Sequence, residues 1–498
     1  MSEVARTDWR RLDPRMLLVH PINELLQFLP AVVAAFVFGD VASERPIVQV
    51  LAVVLPVLIG LGRYLTTWYR ITDSRLELRR GLISRKVLTA PLDRVRTVEL
   101  SSPVIHRVLR LAKVEIGTGS GGTFGADKLE LDSLALTEAR SLRASLLHRI
   151  TATSQGDDPA GTEQTVTGQQ PTGDLDDLLL RLDPTWARYA PLTSTGIALL
   201  GAGVAVLSQF SDLLTDRLDR AGLTLPALPL LIPLAVVAFV LASAVLSVVG
   251  YLVNNWDFQV SRDRAGRSFR ITKGLLTTTE TSLDTARVHG MEIHEPLAMR
   301  AVHAASAEAV VTGLGPLSGA SSTVVPPAPR EVAEGVAGLM MTEPTALRAP
   351  LQAHGPAARR RRYVRATLGA SAFAAAWSTA VVVLELSVLN HLLGPVVLAG
   401  ALGLAHDRAR RLGHALTEHH VVFRKHSLLG RRTALRRDGI IGWNLSQTWF
   451  QRRQGVVSVV ATTSAGGQGY GAYDLTEAQA VALLSRATPG LYEEFLEA

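Results

Sequence analysis

The chain of 498 residues contains no cysteine. This absence excludes disulfides, iron–sulfur clusters, thiolate zinc sites and cysteine nucleophiles, and it leaves the redox compartment open. Lysine is scarce as well, with five residues, so the net charge of +7 comes almost entirely from arginine. Because the arginines recur beside every long apolar run instead of clustering in one domain, we expect no nucleic-acid partner.

Motifs of catalysis are also missing. The sequence has no G-x-S-x-G elbow and no P-loop. A G-x-G-x-x-G spacing occurs at residues 117–122, but a turn and an alternating strand follow it, whereas a dinucleotide fingerprint must open a helix. His289 and His294 are five residues apart, which does not fit the i, i+4 pattern of zinc proteases. We therefore predict a non-enzymatic protein with no cofactor and no bound metal.

Long apolar runs are what the sequence does have. Charge-free runs near or above the roughly 20 residues that a spanning helix needs occupy 189–210, 221–253 and 366–384. A fourth, 46–61, is long enough if its cytoplasmic end extends through Leu65. The stretches 25–38 and 392–405 are only about 14 residues long, a length that also suits re-entrant or interfacial helices. We predict six spans, arranged as three hairpins.

Arginine brackets each pair of apolar runs. Arg6, Arg10, Arg11 and Arg15 precede the first pair, and a run at 359–362 precedes the third. The positive-inside rule then places both termini and all soluble modules in the cytoplasm of a multi-pass plasma-membrane protein. The start of the chain carries no short apolar region with a small-residue cleavage site, so we expect no signal peptide.

The sequence outside the apolar pairs repeats. Arg11–Pro14 before the first pair has the same sequence as Arg181–Pro184 before the second. After each pair comes a strand-like run with a glycine that we expect to supply the positive φ of a tight hairpin, at Gly81, Gly274 and Gly430. Helical patterns close the modules, beginning at Leu136 and Leu475 and covering 330–341 in the second.

These patterns predict a succession of domains along the chain. In order they are a cytoplasmic N-terminus (1–21), hairpin 1 (22–66), module 1 (67–150), a flexible linker (151–174), a pre-span segment with hairpin 2 (175–254), module 2 (255–342), a second linker (343–362), hairpin 3 (363–407) and module 3 (408–498).

The order and repetition of these features resemble the bacterial PH-like membrane proteins of the DUF304 (bPH2) type, specifically their three-module, YdbT-like group. The carriers are the glycine hairpins, the segments Leu92–Val95 and Leu283–Val288, and the Gly-Gly turns at Gly121 and Gly466. The resemblance implies an α+β multidomain membrane protein. Each of its three PH-like β-sandwich modules would end in a C-terminal helix, and three transmembrane hairpins would carry them. It implies no established catalytic chemistry.

Basic residues near the glycine hairpins are our candidates for contact with lipid headgroups or a partner. They are Arg79, Arg80, Arg85, Lys86, Arg424, Lys425, Arg431, Arg432, Arg436 and Arg437. Near an anionic membrane surface, each such cation contributes on the order of 1 kcal/mol. A solvated basic surface is the alternative interpretation.

We predict an interaction or assembly platform at the inner face of the membrane, with a role in envelope stress tolerance. Its expected partners are the lipid bilayer, a smaller one-module PH-like membrane protein and a second copy of the chain. The alternative is a six-span transporter or channel with regulatory cytoplasmic modules, suggested by the six spans in three hairpins. Pro226, Pro229 and Pro233 within one run could supply the broken helix that transporters often have. Glu385 is an acid near an apolar run, and we place it at the outer end, where a carboxylate reaches the headgroups.

Overall fold

The structure is a computed structural model that falls into two compact units. The described residues are 9–17, 61, 64–72, 75–80, 86–91, 97–117, 129–142, 177–193, 195–196, 228–264, 266, 268–312, 322–385, 387–425 and 428–490. The first unit takes its described residues from 1–181 and 256–284, and the second takes them from 182–255, 285–312 and 322–498.

The first unit consists of antiparallel strands and short helical segments. Its strands are β1 (Arg10–Arg11), β2 (Trp68–Ile71), β3 (Arg75–Arg80), β4 (Lys86–Pro91), β5 (Thr97–Ser102), β6 (Leu111–Gly117), β7 (Leu129–Ala135), β8 (Asp177–Arg181), β9 (Gln259–Arg262), β10 (Ser268–Lys273) and β11 (Thr278–Asp284). Helix α1 (Val104–Val108) lies between β5 and β6, and a helical segment follows β7 at 136–142. One sheet has the order β1-β2-β3-β4 and the other has the order β7-β6-β5-β11-β10-β9-β8.

A hydrophobic core connects the four-stranded sheet to β5–β7. Leu76 and Leu78 alternate with polar residues along β3, so the two-residue period of a strand turns both to the same, buried face. They share one core with Val114 of β6 and Leu131 of β7. The helical segment at 136–142 adds Ala139 to this core, as the helical pattern from Leu136 predicts.

The second unit combines strands with the long helices. Its strands are β12 (Val288–His294), β13 (Ala304–Val311), β14 (Thr323–Pro329), β15 (Gln352–Ala353), β16 (Gly413–Leu416), β17 (His420–Lys425), β18 (Arg431–Arg436), β19 (Gly442–Ser446), β20 (Val456–Thr462) and β21 (Gly469–Thr476). Its helices are α2 (Leu228–Asn254), α3 (Leu297–Ala301), α4 (Arg330–Leu339), α5 (Pro356–Val383), α6 (Leu393–Arg411), α7 (Trp449–Arg452) and α8 (Glu477–Ala487). The sheets have the orders β14-β13-β12-β18-β17-β16-β15 and β19-β20-β21.

The elements repeat in three strand groups, β1–β7, β8–β14 and β15–β21. In each group a short helix (α1, α3 or α7) separates the fifth strand from the sixth. The chain leaves each short helix through a left-handed residue, Arg110 (φ 56°), His303 (φ 55°) or Gly455 (φ 60°). A helix follows the seventh strand, and in the third group Thr476 and Gln479 form the capping box that starts it.

Neighbouring strand groups share their seven-stranded sheets. In the first unit, β11 of the second group pairs with β5 of the first, with Thr279 opposite Ser101. In the second unit, β18 of the third group pairs with β12 of the second, with Thr433 opposite Glu292. Both junctions join the fourth strand of one group to the fifth strand of the group before it. We call them the group junctions.

The strands that flank each apolar segment also pair with each other. Arg10 of β1 lies opposite Tyr69 of β2, Leu178 of β8 lies opposite Ser261 of β9, and Gln352 of β15 lies opposite His414 of β16. Each apolar segment therefore leaves a sheet and returns to the same sheet.

Within the described part of the chain, three helices are long and apolar enough to cross a membrane: 237–254, 356–383 and 388–411. The last two form an antiparallel hairpin. The Tyr363 hydroxyl lies 2.8 Å from Nδ1 of His406 near one end, and Trp377 donates to the Asn390 carbonyl at 2.9 Å near the other. Glu385 is exposed in the turn of this hairpin.

The hairpin bears on two sequence-based expectations. The short stretch 392–405 begins at the last residue of the 3-10 turn Val388–Leu392 and continues in α6, and the turn and the helix together cover 24 residues, long enough for the predicted span. The predicted linker 343–362 instead contains the 3-10 turn Ala346–Arg348, strand β15 and the start of α5, because β15 is needed to pair with β16. The linker predicted at 151–174 and the run at 25–38 lie outside the described residues.

The glycine hairpins are confirmed in part. Gly274 has φ 106°, and a Cβ there would lie 1.9 Å from the Thr277 carbonyl oxygen. At Gly430 the prediction of a positive φ is wrong. Glycine is needed there because a Cβ would lie 2.2 Å from the Glu295 carbonyl oxygen. Gly81 and the loop at 118–128 lie outside the described residues.

Candidate functional site

Most of the predicted basic residues of the third strand group have partners within the protein. Arg431 lies 3.3 Å from Glu292, and Arg436 pairs with Asp438. Arg437 donates to the carbonyl oxygens of Ala487 at 2.8 Å and Arg486 at 2.7 Å, at the end of α8. Burial lowers the pKa of Lys425, and the nearby Glu292 opposes this shift.

In the first strand group, Arg79 and Arg80 end β3 and Lys86 begins β4. Arg85 lies outside the described residues. These positions flank the hairpin between β3 and β4, as the sequence predicts.

Arg424 and Arg432 belong to a larger cluster, which we call the arginine cluster. Its members are Glu295, Arg300, Arg330, Glu334, Arg348, Asp407, Arg411, Arg424 and Arg432. Six arginines and three carboxylates leave an excess of three positive charges. Burial, followed by the field of Arg424, lowers the pKa of Arg432 to about 10.

Hydrogen bonds in the arginine cluster connect the short helix α3 to the membrane helix α6. Glu334 of α4 accepts from Nε of Arg330 at 2.8 Å and from Nε of Arg348 at 3.0 Å. Asp407, near the end of α6, accepts from Arg300 of α3 at 3.1 Å and from Arg411 at 2.6 Å. The cluster therefore lies at the aqueous end of α6, and its excess charge favours anionic groups there.

A second set of contacts involves a bulge that recurs in the last strand of every group. β7, β14 and β21 each have one extra residue relative to the paired strand β6, β13 or β20, at the corresponding point of the pairing. The bulged residues are Ser133, Pro327 and Asp474. Each meets the segment next to an apolar run: the Ser133 carbonyl accepts from the Asp13 N–H at 3.3 Å, and the Pro327 carbonyl accepts from the Tyr251 hydroxyl at 2.9 Å. We call these contacts the bulge joints.

The bulge joint of the third group is ionic. Asp474 is 2% exposed and has φ 62°. Its carboxylate lies 3.2 Å from Nε of Arg361 and 2.9 Å from a terminal nitrogen of Arg362, both in the first turns of α5. Gln451 of α7 donates to the same carboxylate at 2.8 Å. One carboxylate therefore holds the aqueous end of a membrane helix to both β21 and α7.

Two exposed aromatic side chains lie beside this joint. Trp449 and Phe450 of α7 pack edge to face with their rings 5.0 Å apart, and Arg453 lies over the Trp449 ring at 4.8 Å. Thr448, the N-cap of α7, accepts a hydrogen bond from Arg361 at 3.3 Å. Arg361 lies five positions before the start of the apolar run at 366–384, about 7.5 Å along a helix. Aromatic side chains with neighbouring arginines at this depth suit the headgroup layer.

A family model decides how these elements are classified. The model described as "Bacterial PH domain" matches residues 25–150 and 368–488, which include β2–β7 of the first strand group and β16–β21 of the third. Two regions of the chain therefore match the bacterial PH-domain family.

A curated relative supports the same assignment. The bacterial PH-domain protein is 19% identical to the UPF0699 transmembrane protein YdbT of Bacillus subtilis (strain 168) over 302 residues. The match covers 57% of this chain and 59% of the relative, so the chain spans less than two thirds of the relative's length. No solved structure matches the chain. The resemblance to YdbT-like membrane proteins that the sequence indicates is therefore confirmed.

Several site residues of this PH-domain protein escape sequence reasoning. Arg361 and Arg362 are visible only as part of an arginine run that the positive-inside rule already explains. Asp474 lies in β21, three residues before α8 begins at Glu477, and no sequence pattern announces its bulge. A spacing of three between Thr448 and Gln451 is the capping-box signal for α7, and it could have located this helix. Among the described residues, no three His, Asp or Glu side chains converge to hold a metal ion.

Proposed function

We propose that this protein is a non-enzymatic platform at the cytoplasmic face of the membrane. Three PH-like modules form the platform, and six membrane spans in three hairpins carry it. The group junctions are the observation that carries the proposal. They make each seven-stranded sheet out of strands from two neighbouring groups, so the groups present joined surfaces instead of separate modules.

The middle strand group supports the count of three modules. It lies outside both regions that the family model matches. Nevertheless its strands β8–β14, its short helix α3 and its closing helix α4 follow the same order as in the two matched groups. The left-handed His303 and the bulge at Pro327 fall at the equivalent positions.

The paired flanking strands and the arginines support the proposed orientation. Because each apolar segment returns to the sheet it left, we infer an even number of crossings per segment. Arginines lie at the aqueous ends of α5 and α6, and the turn between these helices, 384–392, has no Lys or Arg. By the positive-inside rule, this distribution supports the proposed cytoplasmic location of the sheets.

Single-cysteine labelling tests this orientation, because the natural chain has no cysteine to remove. We expect Asn390→Cys, in the turn between α5 and α6, to react with a membrane-impermeant maleimide on intact cells. Glu418→Cys, an exposed residue between β16 and β17, should react only after permeabilisation. The reverse pattern would contradict the cytoplasmic location.

Affinity purification from native membranes tests the platform itself. The partners we propose are a smaller one-module PH-like membrane protein, lipid and further copies of the chain, and the arginine cluster offers contacts to anionic headgroups. A matched control bait is Gly290→Ala, which should disrupt the β12–β18 junction because a Cβ would lie 2.2 Å from the Ala434 carbonyl oxygen. A specific partner should be recovered with the natural chain and lost with this bait.

Two results would count against the platform. One is the absence of any partner in stoichiometric amount. The other is solute movement through the purified protein in proteoliposomes, which would favour a transporter or channel.

A role in envelope stress tolerance also belongs to the proposal. Deletion of the gene should lower survival under membrane-perturbing stress, and the natural chain should restore it.

A further inference from the structure

The two group junctions leave one unused strand edge at each end of the series. In the junctions, the fifth strand of one group (β5 or β12) pairs with the fourth strand of the next (β11 or β18). The remaining fourth strand is β4, and it ends the sheet β1-β2-β3-β4. The remaining fifth strand is β19, and it ends the sheet β19-β20-β21. Among the described residues, no strand pairs with the outer edge of either.

Side-chain exposure shows what the missing neighbour changes at β19. The short helix after each fifth strand aligns Leu100 of β5, Ile293 of β12 and Leu445 of β19. Leu100 is 6% exposed and Ile293 is 1% exposed, whereas Leu445 is 47% exposed. The residue before each of them follows the same trend, since Glu99 and Glu292 are buried and Asn444 is exposed.

The β4 edge shows the same difference. The hairpins align Val87 of β4 with Glu280 of β11 and Arg432 of β18, because Arg80–Lys86, Lys273–Thr279 and Lys425–Arg431 are the equivalent closing pairs. Val87 is 56% exposed, whereas Arg432 is buried and Glu280 is half-buried. The two edges are therefore apolar and exposed at positions that the group junctions cover.

We propose that a second copy of this chain pairs its β4 edge with the β19 edge of the first, as a third junction of the same kind. The register follows from the two observed junctions. Leu100 lies opposite Glu280, and Ile293 lies opposite Arg432. The equivalent pair at the new junction is Leu445 opposite Val87. An exposed leucine of one copy then covers an exposed valine of the other, as a cross-strand apolar pair.

This association is strand addition at an open sheet edge, in which backbone hydrogen bonds supply affinity and the side-chain pairs supply register. The contact is heterologous, because β4 and β19 are different surfaces. Repetition therefore produces either a closed ring or an open array of copies in the membrane. The inference deepens the proposed platform function, which includes further copies of the chain among its partners, and it holds whichever other molecules the platform binds.

Cross-linking between two copies tests the register. One chain carries Leu445→Cys, a second chain with a different tag carries Val87→Cys, and both are co-expressed and oxidised in native membranes. We expect a disulfide-linked dimer that contains both tags. The matched control is Ile441→Cys in place of Leu445→Cys. Ile441 is exposed as well, but it lies four residues away, about 13 Å along a strand. This control should give no dimer with Val87→Cys.

A charge placed on the edge provides a test without cysteine. Leu445→Lys puts a cation on an exposed edge strand, a substitution that blocks strand addition while leaving the fold intact. We expect the purified protein to lose its oligomer and to keep its melting temperature. Val481→Lys on α8 exchanges another exposed aliphatic residue for lysine and should change neither.

Three results would overturn the proposal. They are a monomeric natural chain with no cross-link, equal cross-linking at positions 441 and 445, and a disulfide that joins only chains carrying the same tag. Recovery of a different protein disulfide-linked to Leu445→Cys, without the second copy, would also overturn it in favour of another occupant. None of these results would decide whether the sheets lie in the cytoplasm, which the labelling experiment tests separately.

Discussion

The chain enters the membrane hairpin just after His354 and leaves it just before His414, and the ring centroids of these two residues are 5.1 Å apart. His354 precedes α5, and its Nδ1 donates to the Tyr473 carbonyl oxygen at 2.8 Å, because a carbonyl oxygen can only accept. His414 follows α6 on β16. Both rings are buried, so the place where the chain leaves the sheet and the place where it returns are held together by two uncharged imidazoles.

Because of this pair, the free energy of unfolding should decrease when the pH is lowered. Burial, and then the neighbouring His354, lowers the pKa of His414 to about 4, and burial also lowers the pKa of His354. An unfolded histidine titrates near 6.5, so below that pH the unfolded chain binds more protons than the folded one. The stability is complete above about pH 6.5 and is lost as the pH falls toward 4. For His414 alone, the loss between about pH 7.5 and pH 5 is about 2 kcal/mol.

The measurement is the melting temperature of the detergent-solubilised protein at those two pH values. His414→Phe keeps a ring beside His354 and removes the titration, so this variant should lose less stability on acidification than the natural chain. His419→Gln changes an exposed histidine and serves as the control. An unchanged pH dependence in His414→Phe would contradict the assignment.

Asp474→Asn should destabilise the protein strongly. Asparagine tolerates the left-handed φ of 62° at this position, so the substitution adds no backbone strain. The substitution removes the negative charge that faces Arg361 and Arg362. Removing one partner of a buried ion pair costs about 3–5 kcal/mol of stability. A lower melting temperature and easier proteolysis near residue 355 are the expected observations.

Asp438→Asn is the matched control for this substitution. Asp438 pairs with Arg436, but its side chain is 63% exposed, and exposed pairs contribute about 0–1 kcal/mol. If the two variants melted at the same temperature, the bulge joint of the third group would not hold α5 in place.

Hydropathy and residue patterns predict a large part of this fold. The apolar run at 366–384, the closing helices after Leu136 and Leu475, and the hairpin at Gly274 depend on local sequence and are confirmed. Local patterns fail where one group meets another. Gly430 was expected to turn the chain, but it is required by the approach of Glu295, more than a hundred residues away.

The candidate site shows the same limit. Arg424 and Arg432 could be singled out as basic residues near a hairpin, since charge is visible in sequence. Their carboxylate neighbours Glu295 and Glu334 come from the preceding strand group. No local period connects these segments, so burial and pairing at the β12–β18 junction could not be predicted from the residues alone.

Gly290→Ala should open the β12–β18 junction. The added Cβ would lie 2.2 Å from the Ala434 carbonyl oxygen, which is backbone of the paired strand and cannot move aside as a flexible side chain can. Overpacking of this kind costs about 1–3 kcal/mol. The expected result is a lower melting temperature with faster amide hydrogen exchange in β12 and β18.

Gly335→Ala is the control for the glycine test. Gly335 lies inside α4, and a Cβ there would meet nothing within 4 Å. Alanine in a helix interior is favoured over glycine by about 0.5–1 kcal/mol, so this variant should melt at the same or a higher temperature. Equal loss in both variants would mean that the close approach at Gly290 is not what sets its stability.

The β5–β11 junction can be tested within one chain by a disulfide. Ser101 and Thr279 lie directly opposite each other, and opposed residues in antiparallel strands have Cα atoms about 4.5–5.5 Å apart, a separation that a disulfide can bridge. We expect Ser101→Cys with Thr279→Cys to form an intramolecular disulfide in native membranes, seen as a faster-migrating monomer. Ser101→Cys with Ser282→Cys moves the second thiol three residues along β11, about 10 Å, beyond the reach of the bond. Because the cysteine-free chain offers no other thiol, a disulfide in the shifted pair alone would mean a different register, and its absence in both pairs would mean that the first two strand groups do not share a sheet.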